Sequence, residues 1–181
     1  MGSTLVRFTV QTFPPLRVIG GSVRIKLNAE FDDPTIENLW KRIKSDGSLV
    51  DLESLQNRAT PEPDLVGWMG DWQPGDDAYT YLAGMLFVDN TPVPEGFTGR
   101  DIPAGEMAIG WIAETADEEG GDIHAGASAY LAAAMREHGY EYDGARGGFE
   151  MECYTQERFR AAEQQGGQVI LDFITPCKQR S

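Results

Sequence analysis

The sequence has few of the residues that build metal centres, disulfide frameworks or nucleic-acid interfaces. It contains two cysteines and two histidines among 181 residues, with no Cys-x-x-Cys pair and no Cys/His cluster. Basic residues are scarce too, because 15 lysines and arginines stand against 29 acidic residues, a formal net charge of -14. These shortages argue against a zinc module or a disulfide scaffold, and against direct binding to nucleic acid. We predict no metal ion and no cofactor.

Long apolar runs are missing as well. No stretch approaches the roughly 18 to 20 apolar residues of a membrane-spanning helix, and the first residues enter a strand-like pattern without a secretory signal. We therefore expect a cytoplasmic protein with no membrane partner. The 41% hydrophobic and 10% aromatic residues are typical of a packed globular protein. The length favours a single domain over residues 1–181.

The acidic residues are concentrated in one part of the chain. Between positions 61 and 119, Arg100 is the only basic residue against 13 carboxylates. A solvated acidic surface that keeps the protein soluble is the simplest interpretation. Two functional interpretations stay open: a field that attracts cations, or a surface that docks on a basic protein partner.

Hydrophobic periodicity predicts the elements of the first half. Residues 5–11 alternate as a strand, with one face carrying Leu5, Arg7 and Thr9. A second strand follows over residues 16–27. Asp33 and Pro34 are a favourable N-cap and first helical position, and the helix that they begin ends near residue 46. Residues 48–63 are interpreted as a polar connection.

The second half begins with a predicted hairpin. Its two apolar and aromatic runs, residues 65–72 and 79–88, are joined by turn residues. A strand over residues 100–113 comes next. Asp122 caps a second amphipathic helix that runs to His138. The chain closes with a partly helical polar segment between two strands, which occupy residues 149–154 and 168–175. The order strand, helix, strand, strand thus occurs twice, which predicts an α+β domain of two βαββ modules.

Two adjoining motifs carry a resemblance to a known family. The runs VPEGF at 93–97 and RDIPAGEMA at 100–108 resemble the central signature of the GyrI-like effector-binding domains. These domains occur in gyrase-inhibitory proteins and in multidrug-responsive regulators of the AraC and MerR types. Further similar segments occur in the family's order: FPPLRVIG at 13–20 as a first hairpin, LW at 39–40, YTYLAG at 79–84, HGYE at 138–141 and FEMECY at 149–154.

The resemblance spans about residues 5–178 and implies both a fold and a function. It implies two βαββ modules related by a pseudo-twofold axis, with a ligand cleft between them. It also implies a protein that binds cationic, aromatic or amphipathic small molecules such as drugs. We expect no DNA-binding domain, because the sequence lacks a basic helix-turn-helix segment. Met107 stands where the family usually has an aromatic residue, and the connection at 48–63 is long.

Glu152 is the main candidate for ligand binding. Alternation over residues 149–154 places Glu150, Glu152 and Tyr154 on one face of a strand. A carboxylate in a partly apolar cleft favours a ligand that brings a positive charge. In the family, a glutamate on this strand in a Glu-x-Tyr context contacts the ligand, and Glu152 matches it. Glu150 is the alternative register.

Aromatic side chains form the second part of the predicted site. The faces of tryptophan and tyrosine attract cations, so several around one carboxylate suit flat, lipophilic cations. We expect Trp68, Tyr81 and Trp111 to contribute before Trp40 or Trp72, together with Tyr154. Each of these residues alone is also consistent with a place in the core.

Sequence motifs of catalysis are weak, since neither histidine accompanies a nucleophile pattern and no phosphate-binding glycine loop is present. The leading hypothesis is therefore a stand-alone binding or sequestration protein. Because some relatives of the family hydrolyse strained electrophiles, the resemblance also implies an alternative in which Glu152 acts as a general base. A third hypothesis is an acidic inhibitor that docks on a basic protein such as gyrase. The sequence leaves homo-oligomer formation open.

Overall fold

Antiparallel strands form the framework that positions the candidate site. The computed structural model describes residues 3–27, 35–60, 62, 64–72, 74, 75, 77–114, 123, 124 and 126–181. Within them the strands are β1 Ser3–Phe13, β2 Leu16–Lys26, β3 Leu65–Gly70, β4 Ala78–Val88, β5 Thr98–Ile102, β6 Gly105–Glu114, β7 Tyr140–Tyr142, β8 Phe149–Tyr154 and β9 Ile170–Gln179. The helices are α1 Thr35–Ser45, α2 Ser48–Ser54, α3 Ala127–Glu137 and α4 Ala161–Gln165, with a 3-10 turn at Gly144–Arg146 and a π-helical turn at Gln156–Arg160.

The strands join in the order β1-β6-β9-β8-β3-β4-β2-β5, and β7 pairs with the end of β9. The units β2-α1-β3-β4 and β6-α3-β8-β9 have the same connectivity on the two sides of the β8/β3 pair. The predicted α+β class and the repeated strand, helix, strand, strand order are therefore confirmed. The pseudo-twofold axis that the resemblance implies stays a prediction.

The sheet curves so that its two ends approach each other. Strand β1 lies at one end of the strand order and β2 lies next to the other end, yet only two residues join Phe13 to Leu16. The inner face formed by this curvature holds a core to which both halves contribute, with Val18, Val66, Trp68, Met107 and Met151 among its members. This face lies opposite the helices.

The other face, which we call the helix face, carries α1 and α3. Leu39 and Ile43 of α1 pack against residues of β2 and β4. Leu131 and Met135 of α3 pack in a separate cluster with residues of β6 and β9. Because the two helices cover separate parts of the sheet, the surface of β3 and β8 between them is left for a cleft.

Three expectations about the elements are wrong. The two first strands do not form a hairpin with each other, because β1 pairs with β6 and β2 pairs with β4 and β5. The predicted strand at 100–113 is divided at Pro103 and Ala104, since β5 and β6 pair at different places in the sheet. The connection at 48–63 contains the helix α2, whose Leu52 is buried under β2 and β4.

The alternation of the first strand is also different from the prediction. The β1/β6 register shifts between Leu5 and Arg7, which makes Val6 a bulge residue that is 53% exposed. A bulge re-aims the side chains on one side of it, so Leu5 packs under α3 while Arg7 and Thr9 face the inner side. The helix caps predicted at Asp33 and Asp122 lie outside the described residues.

In the described part of the chain, none of the helices has the length and apolar character needed to cross a bilayer.

Candidate ligand-binding site

Strand β8 supplies the carboxylates of the candidate site. Its side chains alternate between the two faces of the sheet. Glu150, Glu152 and Tyr154 line the cleft between α1 and α3, and the intervening residues lie in the inner core. The two glutamates that the sequence offered as alternatives therefore both face the cleft.

Glu152 is 7% exposed and has a hydrogen-bond partner on each carboxylate oxygen. The hydroxyls of Tyr81 and Tyr154 donate to Oε2 at 3.1 and 2.9 Å. Nδ1 of His124 lies 2.8 Å from Oε1. These contacts satisfy a carboxylate that burial would otherwise destabilise. Among the described residues, no lysine or arginine forms an ion pair with it.

The two phenols belong to a wider network that includes Trp40 of α1. The indole Nε1 of Trp40 donates to the hydroxyl oxygen of Tyr81 at 3.1 Å, and its ring meets the ring of Tyr154 edge to face at 5.5 Å between centroids. Burial, together with the negative charge of Glu152, raises the pKa of Tyr81 and of Tyr154 well above the usual value. Both phenols are therefore protonated donors at physiological pH.

Glu150 lies nearer the start of α3. The hydroxyl of Ser128 donates to its Oε1 at 2.7 Å. Burial raises the pKa of Glu150, the hydrogen bond from Ser128 opposes that change, and the charge of Glu152 adds to it. Strand β8 thus contributes two carboxylates to the cleft, of which Glu152 is the more buried.

The cleft has a volume of about 1000 Å³. Its floor is the sheet, and its walls are the N-terminal part of α1 and the start of α3. Besides Trp40, the two glutamates and the two phenols already described, it is lined by Ile36, Glu37, Met69, Tyr79, His124, Gly126, Ser128, Ala129, Ala132 and Phe173. A few polar groups within a largely apolar and aromatic lining are typical of a small-molecule site.

A second cavity of about 420 Å³ adjoins the cleft on the side of α4. Trp40, Tyr154 and Glu37 line both cavities. The paired rings of Trp40 and Tyr154 therefore lie at the boundary between the two spaces.

Three of the predicted aromatic residues are not in the cleft. Trp68 is 4% exposed in the inner core, because the register of β3 directs it away from the helices. Trp111 lines a cavity on the inner face together with Arg7, which lies opposite it in the β1/β6 pair. Trp72 is 39% exposed beyond the end of β3, where it stacks on Tyr79. The structure brings together Glu152, Tyr81, Tyr154 and Trp40 from the predicted set.

Sequence reasoning missed His124, Ser128 and Tyr79. The signal for Ser128 was its place in the first turn of the second helix, the part of α3 that forms one wall of the cleft. His124 is separated from Glu152 by 28 positions, and no local pattern links the two. Tyr79 could have been found because it shares a strand face with Tyr81, to which the sequence had already pointed.

The fold is similar to those of several solved structures. The structure of SAV2435 bound to tetraphenylphosphonium matches with a TM-score of 0.64 at 13% identity, over 96% of this chain and 94% of that chain. The C-terminal domain of EcmrR matches with a TM-score of 0.58 at 14% identity, over 96% and 98%. The integron cassette protein VCH_CASS2 from Vibrio cholerae matches with a TM-score of 0.54 at 13% identity, over 97% and 99%.

These likenesses concern the fold, which is that of the GyrI-like effector-binding domains. The sequence itself matches the Cass2 family, described as integron-associated effector binding protein, over residues 9–171. The chain belongs to that family. No curated protein sequence matches it significantly.

Proposed function

We propose that the protein binds an organic cation with an aromatic or otherwise apolar body in the cleft between α1 and α3. The observation that carries this proposal is Glu152, a carboxylate that is 7% exposed and faces a cavity of about 1000 Å³. Its hydrogen-bond partners are two phenols and one imidazole. A ligand cation is the counter-charge that would complete this site.

The charge balance of the cleft supports a cation over an anion. Glu150 and Glu152 both face it, and Glu37 lies at its rim. No lysine or arginine is among the described residues that line it. An anion would meet two carboxylates at short range in a site of low dielectric constant, where like charges repel strongly. A cation would relieve the same repulsion.

The aromatic lining supports an apolar body for the ligand. The rings of Trp40, Tyr81 and Tyr154 surround the carboxylate of Glu152. A cation over such a ring gains roughly 0.5 to 2 kcal/mol, with the larger values in desolvated sites. A cleft of this size is in the range of sites for drug-sized ligands, about 300 to 1000 Å³.

Related proteins give independent support. SAV2435, which has the same fold, was solved with tetraphenylphosphonium, a lipophilic cation with four aromatic rings. The Cass2 family is described by effector binding. We propose accordingly that this chain captures lipophilic cations, in the manner of an effector-binding or sequestering protein.

A matched pair of ligands tests the proposal. Tetraphenylphosphonium and tetraphenylborate have nearly the same shape and opposite charges. We expect titration calorimetry to detect the cation and not the anion. Glu152→Gln should weaken the binding of the cation at least tenfold, which corresponds to about 1.4 kcal/mol, because it removes the buried charge and keeps the shape.

Glu150→Gln is the control on the same strand face. Because Glu150 is less buried and is hydrogen-bonded to Ser128 instead of to the phenols, its loss should weaken binding by less than that of Glu152. Equal binding of the two tetraphenyl ions, or unchanged affinity in Glu152→Gln, would contradict the proposal.

One observation favours a second activity. Both phenols donate to the same oxygen of Glu152, and His124 contacts the other. This arrangement fixes a carboxylate that could serve as a general base, with the phenols or the imidazole as proton donors. Incubating the protein with strained electrophiles such as activated cyclopropanes, and following the products by mass spectrometry, separates hydrolysis from binding. Turnover that is lost in Glu152→Gln would favour the enzyme.

A further inference from the structure

A third cavity lies on the inner face of the sheet, on the side opposite the cleft. Its volume is about 440 Å³. Strand β1 contributes Arg7 and Thr9, β6 contributes Trp111, and the connection before β3 contributes Thr60 and Asp64. The start of the π-helical segment closes another side. The sheet itself separates this cavity from the carboxylate of Glu152.

Two guanidinium groups flank one tryptophan in this cavity. The guanidinium carbons of Arg7 and Arg158 each lie 4.5 Å from the ring centroid of Trp111. Arg158 also donates from Nε to Oδ1 of Asp172 at 3.0 Å and from Nη2 to Oδ2 at 2.5 Å. The charge of Arg158 is therefore balanced by a buried carboxylate.

Arg7 differs from Arg158 in this respect. Among the described residues it has a ring contact with Trp111 and no hydrogen bond or ion pair to a carboxylate. The β1/β6 pairing sets Arg7 directly opposite Trp111, and its guanidinium lies against the ring. Arg7 is exposed to solvent and lines the cavity, and a guanidinium held against a ring in this way is a partner for an anion that enters the cavity.

The remaining walls of the cavity define the other part of the ligand. One acidic side chain besides Asp172 lines it, Asp64, and its Oδ1 accepts a hydrogen bond from the backbone N–H of Gln156 at 2.7 Å. Most of the other walls are apolar and come from strands in both halves of the sheet and from the β1–β2 connection: Phe13, Pro14, Leu16, Val66, Leu86 and Ile109.

From these observations we infer that the inner face binds a small organic anion, a carboxylate attached to a flat apolar body, with Arg7 as its ionic partner. The carboxylate pairs with the guanidinium at the mouth of the cavity. The apolar body lies against Trp111 and the aliphatic residues of the sheet. The site is separate from the cleft and accepts a ligand of the opposite charge.

A charged and a neutral naphthalene compound test this inference. The probes are 2-naphthoate and 2-naphthylmethanol, which share the ring system and differ in the charge. We expect calorimetry to detect 2-naphthoate, with at least tenfold weaker binding of the alcohol. Amide chemical shifts of the ¹⁵N-labelled protein should change in β1 and β6, next to Arg7 and Trp111.

Variants of Arg7 decide whether the named residue is responsible. Arg7→Gln should weaken 2-naphthoate at least tenfold, and Arg7→Lys, which keeps the charge, should retain part of the affinity. Arg136→Gln, an exposed position on α3, is the control for a general loss of positive charge. Circular dichroism and thermal melting establish that each variant is folded.

Three results would overturn the inference. The first is equal affinity for the acid and the alcohol. The second is unchanged affinity in Arg7→Gln. The third is a loss of 2-naphthoate binding in Glu152→Gln but not in Arg7→Gln, which would place the anion in the cleft.

Discussion

Gly67 of β3 lies directly opposite Glu152 of β8 in the antiparallel pairing, and its missing side chain leaves the space that the Tyr81 hydroxyl occupies. A Cβ at position 67 would overlap the hydroxyl oxygen of Tyr81 and would lie 3.0 Å from Oε2 of Glu152. The hydrogen bond between Tyr81 on β4 and Glu152 on β8 therefore depends on a glycine of another strand, β3. Neither the spacing nor the periodicity of the sequence indicates this relationship.

Gly67→Ala should consequently displace Tyr81 and disturb the carboxylate. Overpacking of this kind costs typically about 1 to 3 kcal/mol. In a background of Tyr81→Phe, which lacks the hydroxyl, the same substitution should cost less. Chemical denaturation of the two single variants and the double variant measures the coupling between the two positions.

Gly167→Ala is the matched control, because a Cβ there makes only ordinary contacts of 3.6 Å or more. Its effect on the free energy of unfolding should be small. If Gly67→Ala cost the same with and without the Tyr81 hydroxyl, the clash would not be the reason for the glycine.

Trp40 should be the tryptophan that reports ligand binding in the cleft. Its indole lines both the cleft and the adjoining cavity, whereas Trp68 lies in the inner core and Trp111 on the inner face. We expect tetraphenylphosphonium to quench the fluorescence of the wild type and of Trp68→Phe and Trp111→Phe. Trp40→Phe should lose most of the quenching. If the quenching disappeared in Trp111→Phe instead, the cation would bind on the inner face of the sheet and not in the cleft.

Glu150 should make stability depend on pH. Burial raises the pKa of Glu150 above its ordinary value of 4.5, which means that the folded state disfavours the charged form. The resulting penalty is absent below the unfolded-state pKa and is complete once the pH exceeds the raised folded-state pKa. Glu150→Gln, which can still accept from Ser128, should therefore have a higher Tm than the wild type at pH 7.

The gain should shrink as the pH falls to 4, because the wild-type carboxyl is then protonated. Glu53→Gln on the exposed side of α2 controls for the removal of one negative charge from an acidic protein. Thermal melts from pH 4 to 7 measure both variants. A gain for Glu150→Gln that is the same at both ends of this range would contradict the assignment.

The sequence was sufficient for elements whose patterns are local. The alternation in β8 predicts which side chains share a face, and the apolar spacing in α1 and α3 predicts their buried residues, because both depend on backbone geometry alone. Pairing between distant strands was not predictable in the same way. Strand β1 pairs with β6 instead of β2, a choice between distant segments that the pattern within one strand does not contain.

The residues of the candidate site show the same difference between local patterns and contacts across segments. Local alternation was enough to put Glu152 and Tyr154 on one face, and the same alternation could not tell which face of β3 or β6 meets the cleft. Trp68 and Trp111 were therefore expected beside Glu152 and lie on the other side of the sheet. His124 joins the carboxylate from 28 positions away.

What the sequence by itself determined is the α+β class, the repeated strand, helix, strand, strand order and the carboxylate of β8, because each follows from periodicity within one segment. What only the tertiary structure decided is which side chains meet across segments. The network of Trp40, Tyr81 and Glu152 and the stacking of Arg7 on Trp111 both depend on register and sheet curvature. A shift of one residue in a strand reverses every face, so these contacts have no signature in the sequence of any one element.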